Sequence, residues 1–305
     1  MGKKEFYLYR ERTLSDKLND TFGFIRDNWQ VMLKFCIYLV LPLCMVTAVF
    51  TNGSLDAELF KSAGTESIWQ SSAVERLSQL FSSITSAIVV AMVYAFVQLY
   101  MKRENGLENL QMSELKDPLL NNIGKSIILG IVLAVGLVIV MVLYFLLVFF
   151  LFSSSWGLIA LSFILMFALL LPVMLAQPVY LMEDNIGAIE SIKKGFRLGW
   201  HTWGSFALLL FVLAIICSLL GLMVFIPRIG VLVYDSLVAE SQGVDVASPS
   251  LLVSFVHYLL TVLLLFGSDV VSIVFWLGII FHYGHAAEKI DGMATDQAIE
   301  DFEEL

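Results

Sequence analysis

Six long apolar stretches, separated by gaps in which lysine and arginine gather on every second side, constrain this chain more than any other feature. Residues 35–55, 77–101, 126–182, 198–227, 246–268 and 270–287 contain no Asp, Glu, Lys or Arg. A bilayer core of about 30 Å takes roughly 20 apolar residues per helix. Backbone groups in lipid must be paired within their own segment, so such runs are helices. Spans are expected at about 31–50, 78–101, 127–152, 156–181, 205–226 and 264–284. The fold class is therefore all-α: a polytopic membrane helical bundle with six transmembrane helices, in one membrane domain over residues 1–291.

The basic residues orient that bundle. One side carries Lys3, Lys4, Arg10, Arg12, Lys17 and Arg26, then Lys102, Arg103, Lys116 and Lys125, then Lys193, Lys194 and Arg197, then Lys289. The other side carries Lys61, Arg76 and Arg228. The excess of positive charge marks the cytoplasmic side, which puts both termini in the cytoplasm. Residues 1–30 are mixed and polar and do not read as a cleavable signal, so the first span is expected to stay as an anchor. Phe6 stands where myristoylation would need Ser or Thr.

Composition agrees. The chain of 305 residues is 59% hydrophobic and 15% charged, against about a quarter charged in soluble domains. Its net charge of −9 argues against nucleic acid as a partner. Part of that charge lies in Asp296, Glu300, Asp301, Glu303 and Glu304, an acidic and disordered cytoplasmic tail over 292–305. Cys36, Cys44 and Cys217 all sit in apolar runs without metal-ligand spacing, and read as reduced packing residues.

Local signals refine the spans. Ser153-Ser154-Ser155 reads as a tight turn, with Trp156 as an interfacial anchor. Pro172 and Pro178 should kink the fourth span. Gly267-Ser268-Asp269 reads as a helix stop followed by a new cap, which leaves residues 250–266 as a separate half-helix. Six spans are expected; seven would place the tail outside.

Each hairpin is expected to be preceded by a short amphipathic interfacial helix. In the first, Leu14, Leu18, Phe22, Ile25 and Trp29 form the apolar face and Thr13 the N-cap. In the second, Leu115, Leu119 and Ile123 repeat at four, with a late start because of Pro118. In the third, Ile189, Ile192, Phe196, Trp200 and Trp203 lie opposite Glu190, Lys193, Lys194, Arg197 and His201. Three such units make a threefold pseudo-repeat. The apolar faces suit either the membrane interface or packing on the bundle.

The run Leu171-Pro172, Glu183-Asp184-Asn185 and Glu190-Ser191-Ile192-Lys193-Lys194-Gly195-Phe196-Arg197-Leu198-Gly199-Trp200 resembles a bacterial multipass family. It is similar to the membrane domain attached to some glycerophosphodiester phosphodiesterases and to its free-standing relatives. Ser191 stands where Ala is typical, and Gly195 where Ser is typical. The stretches Leu14 to Trp29 and Phe281-His282-Tyr283-Gly284 to Glu288-Lys289 share the resemblance, which covers about two-thirds of the chain in pattern. It implies a six-helix domain of a bacterial inner membrane. It does not carry phosphodiesterase activity, which needs a soluble barrel of about 250 residues.

The candidate site residues are few. Lys193, Lys194 and Arg197 are placed to meet anionic lipid headgroups. Glu183 and Asp184 end the fourth span; they either contact that basic helix or a headgroup, or Asp184 or Asn185 caps the helix. Asp269 is an intramembrane ionisable group, read either as a functional carboxylate, with His257 as partner if the helix folds back, or as a cap. His282 and His285 read as an interfacial pair rather than a metal site. Ser82, Ser83, Thr85 and Ser86 either line a polar path or serve helix packing. No nucleophile elbow, P-loop, zincin or dinucleotide fingerprint occurs. No metal or cofactor is expected.

Three functions fit: a non-catalytic lipid-engaging or accessory module, a small transporter or channel using Asp269 with Pro172 and Gln177, and a scaffold recruiting a cytoplasmic protein through its tail. Sparse intramembrane charge weighs against the second.

Overall fold

The structure, a computed structural model, describes residues 7–60, 68–152, 156–242 and 251–293. Nine α-helices lie among the described residues, and no strand. They are α1 (Leu14–Phe35), α2 (Leu41–Phe60), α3 (Ile68–Lys102), α4 (Met112–Phe152), α5 (Trp156–Leu170), α6 (Ala176–Met182), α7 (Ala188–His201), α8 (Trp203–Gln242) and α9 (Leu251–Asp291). Six helical segments are long and apolar enough to cross a membrane: Leu14–Thr51, Val74–Lys102, Met112–Val148, Ser162–Met182, Trp203–Val231 and Leu252–Asp291. The chain is a multipass membrane protein of the all-α bundle type.

The ends and bends of these helices follow from the sequence. Thr13 opens α1 as expected, its Oγ1 accepting the Asp16 N–H at 3.2 Å while Asp16 Oδ2 accepts the Thr13 N–H at 3.0 Å. This reciprocal pair satisfies two end donors. Pro172 interrupts the fourth span as expected, with a 3-10 turn over Leu171–Leu175 between α5 and α6. The serine turn at 153–155, the side chain of Trp156 and the tail from 294 lie outside the described residues.

Three expectations are corrected. The first amphipathic stretch is not a separate helix: α1 passes through a single wide turn, Cys36–Val40, into α2. Gln30 to Phe35 holds no Gly or Pro to stop it. The second is not separate either. Glu114 caps the Gln111 N–H at 2.9 Å, and α4 runs from Met112 through Pro118. Only the third unit has its own helix, α7, so the threefold pattern does not extend to structure.

The half-helix at 250–266 is also absent, because α9 is continuous over 41 residues, a length of about 60 Å. Gly267 does not end it. A side chain there would meet Val224 Cγ1 at 2.5 Å, so the glycine makes room for a neighbouring helix.

The helices fall into two compact units. The first comprises Met1–Phe24, Ala91–Val212 and Trp276–Leu305. Its core is Val93 to Val97 of α3 with Leu115, Leu175, Leu198, Phe206 and Ile279 to Phe281, all fully buried. An amide clasp ties three of its helices. Asn122 donates to Gln98 Oε1 at 2.9 Å and to the Ala91 carbonyl at 3.2 Å. Gln98 donates to the Leu181 carbonyl at 2.6 Å. The second unit comprises Ile25–Val90 and Leu213–Phe275. There Phe50 stacks on Phe81 at 5.2 Å, Thr51 bonds Ser78 at 2.8 Å, and Tyr258 donates to the Met45 carbonyl at 3.2 Å.

Candidate functional site

Helix α7 carries the densest set of candidate residues, and glycine decides which way it faces. Ser191, Gly195, Leu198 and Gly199 make its buried side. A Cβ on Gly195 would strike the backbone of Ala176, and one on Gly199 would lie 2.6 Å from Pro172 Cα. The helix therefore sits directly on the Pro172 turn and α6, backbone against backbone. That contact turns its large side chains outward. Ile189 is 64% exposed and Trp200 49%, and Phe196 and Trp203 are also exposed. Phe196 and Trp200 stack at 5.8 Å and 17°. Trp203, just past the end of α7, donates its indole N–H to the Ala168 carbonyl at 3.0 Å.

The three basic residues of α7 divide. Lys194 is tied inward, to Glu183 Oε2 at 2.7 Å and Asp291 at 3.4 Å. Arg197 is half-exposed and bonds Asp291 Oδ1 at 2.6 Å. Lys193 is exposed, with no ion pair to a described residue. An open hollow of about 710 Å³ lies beside it, lined by Val132 of α4 and by Gly187, Ala188, Ile189, Glu190 and Lys193. The acidic pair divides as well. Glu183 joins the ion-pair network, while Asp184 is exposed. Neither Asp184 nor Asn185 caps α7: the N-cap is Gly187, with no side-chain cap bond, and Asn185 takes a left-handed φ of 59° in the turn.

Behind α7 lies a buried polar cluster. Lys17 is 1% exposed and donates to His282 Nδ1 at 3.0 Å. His282 Nε2 faces Thr202 Oγ1 at 3.2 Å, and the Thr202 hydroxyl donates to the Leu198 carbonyl at 2.8 Å. The single hydroxyl proton is thereby used, so Nε2 carries the imidazole proton and Nδ1 accepts from lysine. Phe206 stacks on that ring at 4.6 Å. The relay runs from α1 through α9 to the α7–α8 junction without an unpaired atom.

A strap formed by residues 7–13 closes the cluster. The Leu8 carbonyl rests on Gly284, where any Cβ would collide with it. The Arg12 N–H donates to His285 Nδ1 at 3.0 Å, and its guanidinium bonds Asp20 at 2.7 Å and the carbonyls of Leu8 and Tyr7 at 2.5 Å each. Burial lowers the proton affinity of that guanidinium, and the Asp20 carboxylate opposes the shift. Arginine keeps its charge regardless. Tyr283 donates to Glu183 Oε1 at 2.8 Å and accepts from Tyr9 at 3.5 Å. Burial raises the Tyr9 phenol above its usual value, its bond to Tyr283 lowers it, and Glu183 raises it again. His282 and His285 are thus both buried, with ring centroids 5.8 Å apart, and each has its own hydrogen-bond partner.

The charge count alone concealed Tyr9, Arg12 and Lys17. Lys17, Thr21, Phe24 and Asn28 are all buried, at steps of four, three and four. The stripe Leu14, Leu18, Phe22, Ile25 and Trp29 is partly to fully exposed. That repeat of Lys, Thr, Phe and Asn was visible in the sequence. Membrane bundles bury polar side chains inward and show apolar ones outward, which inverts the usual amphipathic reading.

Asp269 belongs to the second unit. It lies inside α9, accepts from Cys44 Sγ at 3.4 Å, and caps nothing. His257 is twelve residues away on the same unbroken helix, about 18 Å, so the two do not pair. Thr85 and Ser83 bond back to their own helix at Phe81 and Gln79, both at 2.8 Å. Cys36, Cys44 and Cys217 are free, and no group of three His, Cys, Asp or Glu among the described residues could hold a metal.

Set beside family models, curated proteins and solved structures, the chain matches none of them.

Proposed function

We propose that this chain is a non-catalytic, lipid-engaging module of a bacterial inner membrane, with both termini in the cytoplasm and α7 lying at the inner leaflet. One observation carries the reading: α7 is locked onto the bundle by its glycine side and presents Ile189, Phe196, Trp200 and Trp203 outward beside Lys193 and Arg197. An aromatic face with basic neighbours suits the boundary between acyl chains and anionic headgroups. The positive residues of the gaps and the resemblance to the membrane domain of glycerophosphodiester phosphodiesterases support the orientation. Lys194 and Arg197 are engaged by carboxylates, so Lys193 is the residue free for a headgroup.

Native mass spectrometry of protein ejected with its own membrane tests this. Wild type should retain anionic phospholipid, and Lys193→Glu should retain several-fold less, since one basic residue near such a surface contributes about 1 kcal/mol. Equal retention by the two proteins would remove Lys193 from the account.

A transport role for Asp269 has one supporting observation, a carboxylate held within a continuous spanning helix and accepting from the Cys44 thiol. Under it, Asp269→Asn abolishes a proton-coupled flux in proteoliposomes; an unchanged flux would remove it. The scaffold role rests on the tail, outside the described residues.

A further inference from the structure

In the second unit, Arg228 of α8 stands apart from the other cations among the described residues. It is 7% exposed, and its Nη1 has no hydrogen-bond partner. It forms no ion pair with a described residue. Its surroundings follow from the register of α8 against α9. Cys217, Val224 and Arg228 lie on one stripe of α8, at steps of seven and four. Cys217 Sγ reaches the Val271 carbonyl at 3.9 Å, and Val224 fills the space left by Gly267. The partners descend along α9 as the stripe ascends, so Arg228 continues the face that meets α9 on the Leu251 side of Gly267. Residues 251–268 of α9 contain no Asp or Glu.

A guanidinium cannot shed its proton. Enclosed without a counter-charge among the described residues, it is strongly disfavoured, and what relieves it is an anion. An arginine that simply reached out to the headgroup layer would be exposed, and this one is not. Its planar fork fits two oxygens of a phosphate or phosphodiester. It also follows directly on the charge-free run 198–227, at the end of a span, where lipid phosphates lie. We propose that Arg228 anchors a binding site for a phosphate-class oxyanion, supplied either by a lipid phosphodiester or by free phosphate. This site is separate from the α7 face and does not depend on it.

The test is thermal unfolding of the full chain, delipidated in non-ionic detergent, with short-chain phosphatidylglycerol, inorganic phosphate, or chloride at matched ionic strength. The Tm of wild type should rise by several degrees with phosphatidylglycerol or phosphate and not with chloride. A rise with phosphatidylglycerol alone assigns the site to lipid; a rise with phosphate as well assigns it to the free anion. Arg228→Gln should lose the rise, and Lys116→Gln, at an exposed position of α4, should keep it. No rise in wild type, an equal rise in Arg228→Gln, or its loss in Lys116→Gln would overturn the proposal. Arg228→Met guards against a folding defect. Without ligand its Tm should be no lower than wild type, since an unpaired buried charge has gone. A large fall would show that the protein itself pairs Arg228, and would equally overturn the site.

Discussion

Lys17 Nζ and His282 Nδ1 meet at 3.0 Å, and neither side chain reaches solvent. Chain positions 265 residues apart are thereby joined, with the same imidazole continuing to Thr202 at the end of α7. The bond makes the start of α1 part of the support that holds α7 in place.

Its two partners are not equivalent. His282→Leu strands a buried lysine with no acceptor and should cost about 3 kcal/mol. Lys17→Met removes the charge itself and leaves one imidazole nitrogen unpaired, a cost of about 1 kcal/mol. The double variant should be more stable than His282→Leu alone. Thermal unfolding in one detergent checks this; equal single losses that simply add would show that the two residues act independently.

The close approach of α7 to the Pro172 turn sets a second test. Gly195→Ala should destabilise by about 1–3 kcal/mol, since its Cβ has only backbone to displace. Gly204→Ala, in open space within α8, should be neutral or gain up to about 1 kcal/mol. The two should separate clearly by Tm. A tolerated Gly195→Ala would mean that α7 does not sit against α6 as described.

The amide clasp should respond as a unit. Gln98→Leu and Asn122→Leu each break the reciprocal pair seen at 2.9 and 3.3 Å. Each should cost about 1–2 kcal/mol, the upper range for polar contacts between membrane helices. The double variant should cost less than the sum. Strict additivity in the cycle would contradict the pairing.

Spans, their number and the Pro172 kink were legible in the sequence, because length, charge and proline act locally. Four things were not. The fate of Gly267-Ser268-Asp269 depended on Val224, a residue on another helix that needed the glycine's space. The inward face of α1 was hidden because Lys17 and Asn28 look solvated by rules learned from water. Contact of Glu183 with the basic helix was one reading of the sequence, but its tie to Tyr283, 100 residues on, is announced by no local spacing. The α7 face itself was legible, but not its outward orientation, which Gly195 and Gly199 decide.

The raised phenol of Tyr9 gives a pH prediction. In the unfolded chain this group ionises near pH 10. In the folded protein, burial keeps it protonated to higher pH. Between those two values the unfolded state has lost a proton that the folded state retains, so stability is full below about pH 10 and falls as pH rises through that window. Tyr9→Phe should show a shallower fall of Tm as pH rises above about 10. An identical slope would place the alkaline loss elsewhere.

The most direct test of the central claim is the depth of Trp200. A variant keeping Trp200 as its sole tryptophan, in vesicles with lipids brominated at defined acyl positions, reports that depth by quenching. The lipid-facing account predicts strong quenching by shallow bromines, weak quenching by deep ones, and a blue-shifted emission. Emission typical of water without quenching at any depth would place the α7 face away from the membrane and contradict the account.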